Sequence, residues 1–148
     1  MGVARRILVA VDGSTLTHSV IHTAIQEAMC RKAELHIVHV IEKEWVVPDS
    51  EEELAIREEE EEAASFLSSM KAEVEASGRE AVAHLLRGHP GDRIVDCAID
   101  LDAELVILGS VGKSQVKRMI SGSVSSFVVT HCPVTTMVVK PNTKSHTG

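Results

Sequence analysis

The chain has 148 residues, a length that suits one domain with a sizeable hydrophobic core. Its hydrophobic fraction of 44% is ordinary for a globular protein, and no apolar run approaches the ~18 residues that a membrane-spanning helix needs. A net charge of −7 and a content of no Tyr, one Trp and two Phe disfavour a general nucleic-acid binder, because such proteins are more often basic with interleaved aromatic residues.

The N-terminal sequence MGVARRILVAVDG is interpreted as a first strand rather than an export signal. Its apolar run is only about seven residues long, is rich in β-branched residues and ends in an acidic turn. Cys30, Cys97 and Cys132 are widely spaced and form no CxxC pair, a pattern typical of reduced cysteines rather than of a disulfide framework. We therefore expect a cytoplasmic protein with no membrane segment.

The negative charge is concentrated in one segment. Residues 42–62 carry eleven acidic residues against Lys43 and Arg57, a local charge of −9, so the rest of the chain carries about +2. We interpret the five glutamates at 58–62 as a solvated helix face, with a surface for a basic partner protein as the alternative. The remainder of the chain therefore carries no excess of negative charge that would repel an anionic ligand.

Short β-branched runs alternate with longer helical stretches along the chain, which is typical of βαβ units and a parallel sheet. A turn at Asp12-Gly13-Ser14 ends the first strand and opens the first helix. The acidic second helix begins at a capping box formed by Ser50 and Glu53 and stops at Gly78. Its buried stripe is formed by Ala63, Phe66, Leu67, Met70 and Val74. The predicted strands span about Arg6–Val11, Glu34–Ile41, Ala81–Leu86, Glu104–Leu108 and Pro133–Val139.

We expect residues 1–148 to form a single domain with an α/β, Rossmann-like fold. The predicted sheet is open and parallel, with five strands in the order 3-2-1-4-5 and helices on both faces. Ligands bind such sheets at the carboxyl ends of the strands where the order reverses, which here means strands one and four. The polar tail at 141–148 is expected to fray.

A glycine-rich loop follows the fourth strand, with glycines at 109, 112 and 122 and Ser123 after the last. Glycines let the backbone approach polyphosphate closely, and successive peptide N–H groups can form an anion nest. Ser123 begins the next helix, so its amide and those of Val124 and Ser125 lie at a positive helix end. An ordinary loop with Ser123 as a plain helix cap is the alternative. The spacing fits neither a P-loop, since residue 107 is Ile, nor the Rossmann glycine fingerprint.

The loop spacing, together with ILVAVDGS, HIVHVIE, GHPGDRIVDCA and CPVTTMVVK, resembles the ATP-binding branch of the universal stress protein family over nearly the whole chain. The resemblance implies that ATP, or ADP or AMP, is the ligand, with Mg²⁺ bound to the phosphates. It places Asp12 and the Ala10 backbone beside the adenosine, the Val40 backbone at the adenine edge, and Gly109 behind the ribose and α-phosphate. It assigns the phosphates to Gly112, Gly122, Ser123, Val124 and Ser125. From the residues alone, the preferred interpretation is that Asp12 caps the first helix and that Val40 is a core valine.

The glycine-rich loop contains no carboxylate that could activate water, and the sequence shows no recognisable Ser-His-Asp arrangement. No catalytic residue is therefore predicted. We expect a stress-response binding protein whose nucleotide state biases its interactions. A slow ATPase and a nucleotide-free dimeric scaffold are the alternatives. Two pairs of closely spaced histidines, His18 with His22 and His36 with His39, have no acidic or cysteine partner at ligand spacing, so no protein-held metal is predicted. The apolar last strand, Val134 to Lys140, needs a partner, and the resemblance implies a homodimer through it.

Overall fold

A computed structural model of the chain describes residues 4–42, 49–110 and 122–141. Within these ranges, strands alternate with helices along the chain, as the sequence pattern indicates. The elements are β1 (Arg6–Ala10), α1 (Thr17–Arg31), β2 (Glu34–Ile41), α2 (Ser50–Ala76), β3 (Ala81–Arg87), α3 (Pro90–Asp100), β4 (Leu105–Gly109), α4 (Ser123–His131) and β5 (Thr136–Val139).

The five strands form one parallel sheet in the order β3-β2-β1-β4-β5, which confirms the predicted fold class and topology. The predicted bounds of β2 are also correct. The first strand ends at Ala10 rather than Val11, although the Val11 amide still donates to the Val38 carbonyl at 3.0 Å. The last strand begins at Thr136 rather than Pro133, so the sequence prediction overestimated its length.

Helices cover both faces of the sheet, which is why its central strands are apolar on both sides. The side chains of Ile7 and Val9 on β1 pack with α1 and α2 on one face. Leu8, between them in sequence, packs with the α3 and α4 side on the other face. All three are fully buried, so the sheet separates two hydrophobic cores.

Helix α2 is capped by Asp49 rather than by Ser50, which corrects the sequence prediction by one residue. The Asp49 carboxylate accepts from the Glu52 amide at 2.9 Å, and the Glu52 carboxylate accepts from the Asp49 amide at 3.2 Å. The predicted buried stripe is confirmed further along the helix, where Phe66 is partly buried and the other four residues are buried. In the part of the chain that the structure describes, no helix is both long and apolar enough to cross a membrane.

Two histidines form a pair on β2 and the neighbouring edge strand β3. The Nδ1 atom of His36 lies 2.9 Å from Nε2 of His84, and the two rings stack with centroids 5.2 Å apart. The Glu34 carboxylate lies 3.4 Å from Nε2 of His36 and accepts from Nε of Arg6 at 3.1 Å. Burial lowers the pKa of His84, and the neighbouring His36 lowers it further.

This lowered pKa makes the stability of the fold depend on pH. Below the unfolded pKa of about 6.5, the unfolded chain takes up a proton on His84 more readily than the folded chain does. We expect the free energy of unfolding to fall as the pH drops from 7 to 5, and to fall less in a His84→Gln variant. Urea unfolding across this pH range measures the difference, with the exposed His22→Gln as the matched control. Parallel pH profiles for His84→Gln and the unaltered protein would contradict the assignment.

Candidate functional site

A cavity of about 790 Å³ opens at the carboxyl ends of β1, β2 and β4. Its size lies within the roughly 300–1,000 Å³ typical of small-molecule sites. Strand ends form its floor, and its sides come from the loop after β1 and from the starts of α1, α3 and α4. The middle of α2 closes the remaining side. The cavity therefore lies where the order of the sheet reverses, between β1 and β4.

The cavity brings together six of the nine residues that the sequence analysis singled out. Among the described residues, Gly122 and Ser123 are not part of its wall, and Gly112 lies outside the described ranges. The six that line it are Ala10, Asp12, Val40, Gly109, Val124 and Ser125.

The start of α4 presents backbone amides toward this end of the sheet. The first hydrogen bond within the helix runs from the Ser126 amide to the Gly122 carbonyl at 3.1 Å. The three preceding amides, at residues 123–125, therefore have no partner within the helix. Gly122 holds the cap position and Ser123 is the first helical residue. The alternative interpretation, in which Ser123 is the helix cap, is therefore wrong.

Two further bonds anchor the start of α4 to the end of β4. The Gly122 amide donates to the Ser110 carbonyl at 2.5 Å. The buried Ser125 hydroxyl donates to the Gly122 carbonyl at 3.0 Å and lies 3.3 Å from the Ser110 carbonyl. Both groups are thus engaged by the protein, and what Ser125 can offer a ligand is its amide.

Asp12 shapes the loop after β1 and does not cap α1. Its Oδ1 atom accepts from the Ser14 amide at 2.9 Å, while the cap position of α1 is held by Leu16 with no side-chain cap bond. Gly13 between them has φ of +78°, a conformation that glycine adopts without steric cost. This turn sets the exposed Asp12 on the cavity wall.

The opposite side of the cavity is built by residues that the sequence analysis did not assign to a site. Nδ1 of His39 lies 2.8 Å from the Val11 carbonyl, and the His39 ring meets the edge of Phe66 with centroids 5.0 Å apart. Glu59 and Glu62 of α2 line the same side. Both glutamates lie one turn before Ala63 and Phe66 on the same helix face, so extending the predicted apolar stripe upstream by four residues would have found them.

The cavity is electrostatically polar along its length. At the α2 side its wall carries carboxylates of Glu42, Glu59 and Glu62. At the α4 side it meets a helix start, which carries a partial positive charge. Among residues 4–42, 49–110 and 122–141, no three His, Cys, Asp or Glu side chains are grouped as a metal site.

Comparison with known proteins identifies the family. The model of the universal stress protein family matches residues 4–140, so the chain belongs to this family. Universal stress protein MJ0531 of Methanocaldococcus jannaschii is 30% identical over 141 residues, which cover 92% of this chain and 82% of the relative.

Solved structures share the fold. Hypothetical protein MJ0577 superposes with a TM-score of 0.80 at 25% identity, covering 93% of this chain and 96% of its own. A universal stress protein from Archaeoglobus fulgidus, solved in complex with dAMP, superposes with a TM-score of 0.66 at 23% identity, covering 95% of this chain and all of its own.

One buried polar atom on the cavity wall has no hydrogen-bond partner. Thr17, the first residue of α1, is 4% exposed, and its Oγ1 is unpaired among the described residues. Such a group costs roughly 1–3 kcal/mol when buried without a partner.

We therefore expect Thr17→Val to stabilise the ligand-free protein by about 1 kcal/mol, because it replaces the unpaired hydroxyl by a methyl group of similar shape. The matched control is Thr23→Val in the same helix, where the exposed hydroxyl donates to the Ser19 carbonyl at 2.9 Å and its loss should be neutral or slightly destabilising. Urea unfolding at neutral pH compares the two. A Thr17→Val variant less stable than the unaltered protein would overturn this account.

Proposed function

We propose that the chain is a cytoplasmic stress-response protein, a single nucleotide-binding domain that holds ATP, or ADP or AMP, in the cavity between β1 and β4. The observation that carries this proposal is the polarity of the cavity, with amides of a helix start at one side and carboxylates at the other. A nucleotide is negatively charged at its polyphosphate end and uncharged at its base. The cavity therefore favours the orientation that places the phosphates at the amides and the base at the carboxylates. The Archaeoglobus fulgidus relative in complex with dAMP supports an adenine nucleotide as the ligand class.

The phosphates are assigned to the α4 side. Amides at the start of a helix bind anions through hydrogen bonds and through the helix dipole. The amides of Ser123, Val124 and Ser125 are those without a partner within α4, and Gly109 ends β4 on the cavity wall beside them. In the proposal, Gly112 and Gly122 complete this cradle, because residues without side chains let the phosphates approach the backbone closely.

Mg²⁺ is assigned to the phosphates rather than to protein side chains. The wall contributed by α4 is formed by Val124 and Ser125, and the described residues offer no cluster of carboxylates there. Phosphate oxygens and water are ligands that Mg²⁺ accepts readily, so the ion would enter and leave with the nucleotide.

The adenosine is assigned to the strand ends and to the α2 side. Val40 lies near the end of β2, half-buried against the α3 side of the sheet and also on the cavity wall, so its backbone can reach the edge of a base. Ala10 and Asp12 follow at the end of β1, where the proposal places the ribose. Carboxylates repel phosphates, so Glu59 and Glu62 favour keeping the phosphates at the other side.

We infer a binding role rather than turnover. Hydrolysis needs a group that orients water near the γ-phosphate. On the described wall of the cavity at α4, the Ser125 hydroxyl is already bonded to backbone carbonyls and Val124 is apolar. Nucleotide occupancy would then act by biasing the interactions of the protein.

Placing a charge at the start of α4 tests the phosphate assignment. We expect Ser123→Asp to weaken ATP binding by about tenfold through repulsion between the new carboxylate and the phosphates, and to leave the affinity for adenosine unchanged. The fold should tolerate the change, because Ser123 is exposed and Asp is favourable in the first turn of a helix.

The neutral control is Ser123→Asn, which has the shape of Asp without its charge and should bind ATP nearly as well as the unaltered protein. Calorimetric titrations with ATP and with adenosine measure all three proteins. Equal ATP affinity for the Asp and Asn variants would place the phosphates elsewhere.

We also propose a homodimer formed through the last strand, from Val134 to Lys140. The Thr135 carbonyl accepts from the Val106 amide of β4 at 2.9 Å, and the Val139 carbonyl accepts from the Ser110 amide just after β4 at 2.8 Å. The main-chain groups of Thr136 and Val138 therefore face away from β4. Such an open edge is a template for pairing with a second chain.

Proline at the first position of β5 removes one outward-facing amide without touching the β4 ladder. We expect the unaltered protein to sediment as a dimer at micromolar concentration, and Thr136→Pro to shift the equilibrium toward monomer. Thr136→Val, which keeps the amide, is the control. A monomer in the unaltered protein would refute the proposed interface.

A further inference from the structure

We propose that His39 makes the site selective for purines with an amino group at position 6 over purines with a carbonyl oxygen there, by accepting a hydrogen bond through Nε2. This inference rests on the proposed function, since it concerns the base of the nucleotide in the same cavity. His39 is not among the nucleotide contacts predicted from the sequence.

The hydrogen bond to Val11 decides which nitrogen of the ring carries the proton. Nδ1 of His39 lies 2.8 Å from the Val11 carbonyl oxygen, which can only accept. Nδ1 is therefore the donor, and in the neutral ring Nε2 is left as an acceptor with a lone pair. A loop carbonyl thus sets the hydrogen-bonding character of a side chain on the cavity wall.

The acceptor is open to a ligand. His39 is half-buried and lines the cavity, and within the described residues no group donates to its Nε2. This atom is also not among the buried polar atoms without a partner, so it is accessible from outside the protein interior.

Two contacts fix the direction of the ring. The Phe66 ring packs against it at an interplanar angle of 66°, and a flip of the imidazole would break the bond to Val11. A side chain held in this way discriminates between ligands better than a mobile one, because it does not turn to exchange a donor for an acceptor.

The surroundings of His39 reinforce the preference for a donor. Phe66 lies next to Glu62 one turn earlier on α2, and Glu42 lies on the same wall. A 6-amino group brings N–H donors to this acceptor-rich side. A 6-oxo group would bring lone pairs against lone pairs and leave polar groups unpaired, and sites built on hydrogen bonds discriminate strongly against such mismatches.

The test compares ATP with inosine triphosphate, which carries an oxygen in place of the 6-amino group. Calorimetric titration of the full chain should give about tenfold or greater preference for ATP. In His39→Asn the side-chain amide can still donate to Val11 from the position of Nδ1, but nothing replaces Nε2. We expect this variant to lose the preference while its urea unfolding stays close to that of the unaltered protein.

His39→Gln supplies the reciprocal control, because its amide oxygen reaches the position of Nε2 while the bond to Val11 is lost. It should keep most of the preference and be less stable. If the unaltered protein binds both nucleotides equally, or if His39→Asn discriminates as well as the unaltered protein, the selectivity inference is wrong although nucleotide binding stands. Binding of neither nucleotide would reject the proposed function itself.

Discussion

The reversal of winding between β1 and β4 is the constraint on which the rest of this structure depends. From β1 the chain proceeds outward to β2 and β3, and then returns to place β4 and β5 on the other side of β1. Connections between parallel strands keep one hand, so α1 and α2 cover one face and α3 and α4 the other. At the reversal no helix bridges the ends of neighbouring strands, and a cavity opens there.

The charged and polar groups on the cavity wall are determined by which helices and strands begin, end or pass beside the reversal between β1 and β4. Helix α4 starts beside β4 and contributes amides that have no partner within the helix. The middle turns of the long α2 pass beside β2 and contribute carboxylates and Phe66. The acidic segment therefore has two faces. Most of its glutamates are exposed to solvent, and Glu59 and Glu62 also form part of the cavity wall. In the proposed function, these two carboxylates favour the orientation that keeps the phosphates on the far side.

The strand order and most element bounds were predictable because continuous apolar runs and helical stripes are local signals. The cap of α2 was not, since Asp49 with Glu52 and Ser50 with Glu53 both satisfy the capping pattern one residue apart, and only the actual backbone decides between them. The position of His39 on the cavity wall was not predictable, because its ring is held by a carbonyl 28 residues earlier and by an aromatic ring on helix α2. Such contacts are made by tertiary packing and leave no periodic trace in the sequence.

Occupancy of the cavity by an adenine nucleotide can be tested on the unaltered protein. The protein is purified without added nucleotide and denatured, and the supernatant is separated by chromatography. The stripped and refolded chain is then titrated with ATP, ADP and AMP in the presence of Mg²⁺. We expect released adenine nucleotide or saturable binding of at least one of the three. No released nucleotide, together with no heat of binding for any of them, would contradict it.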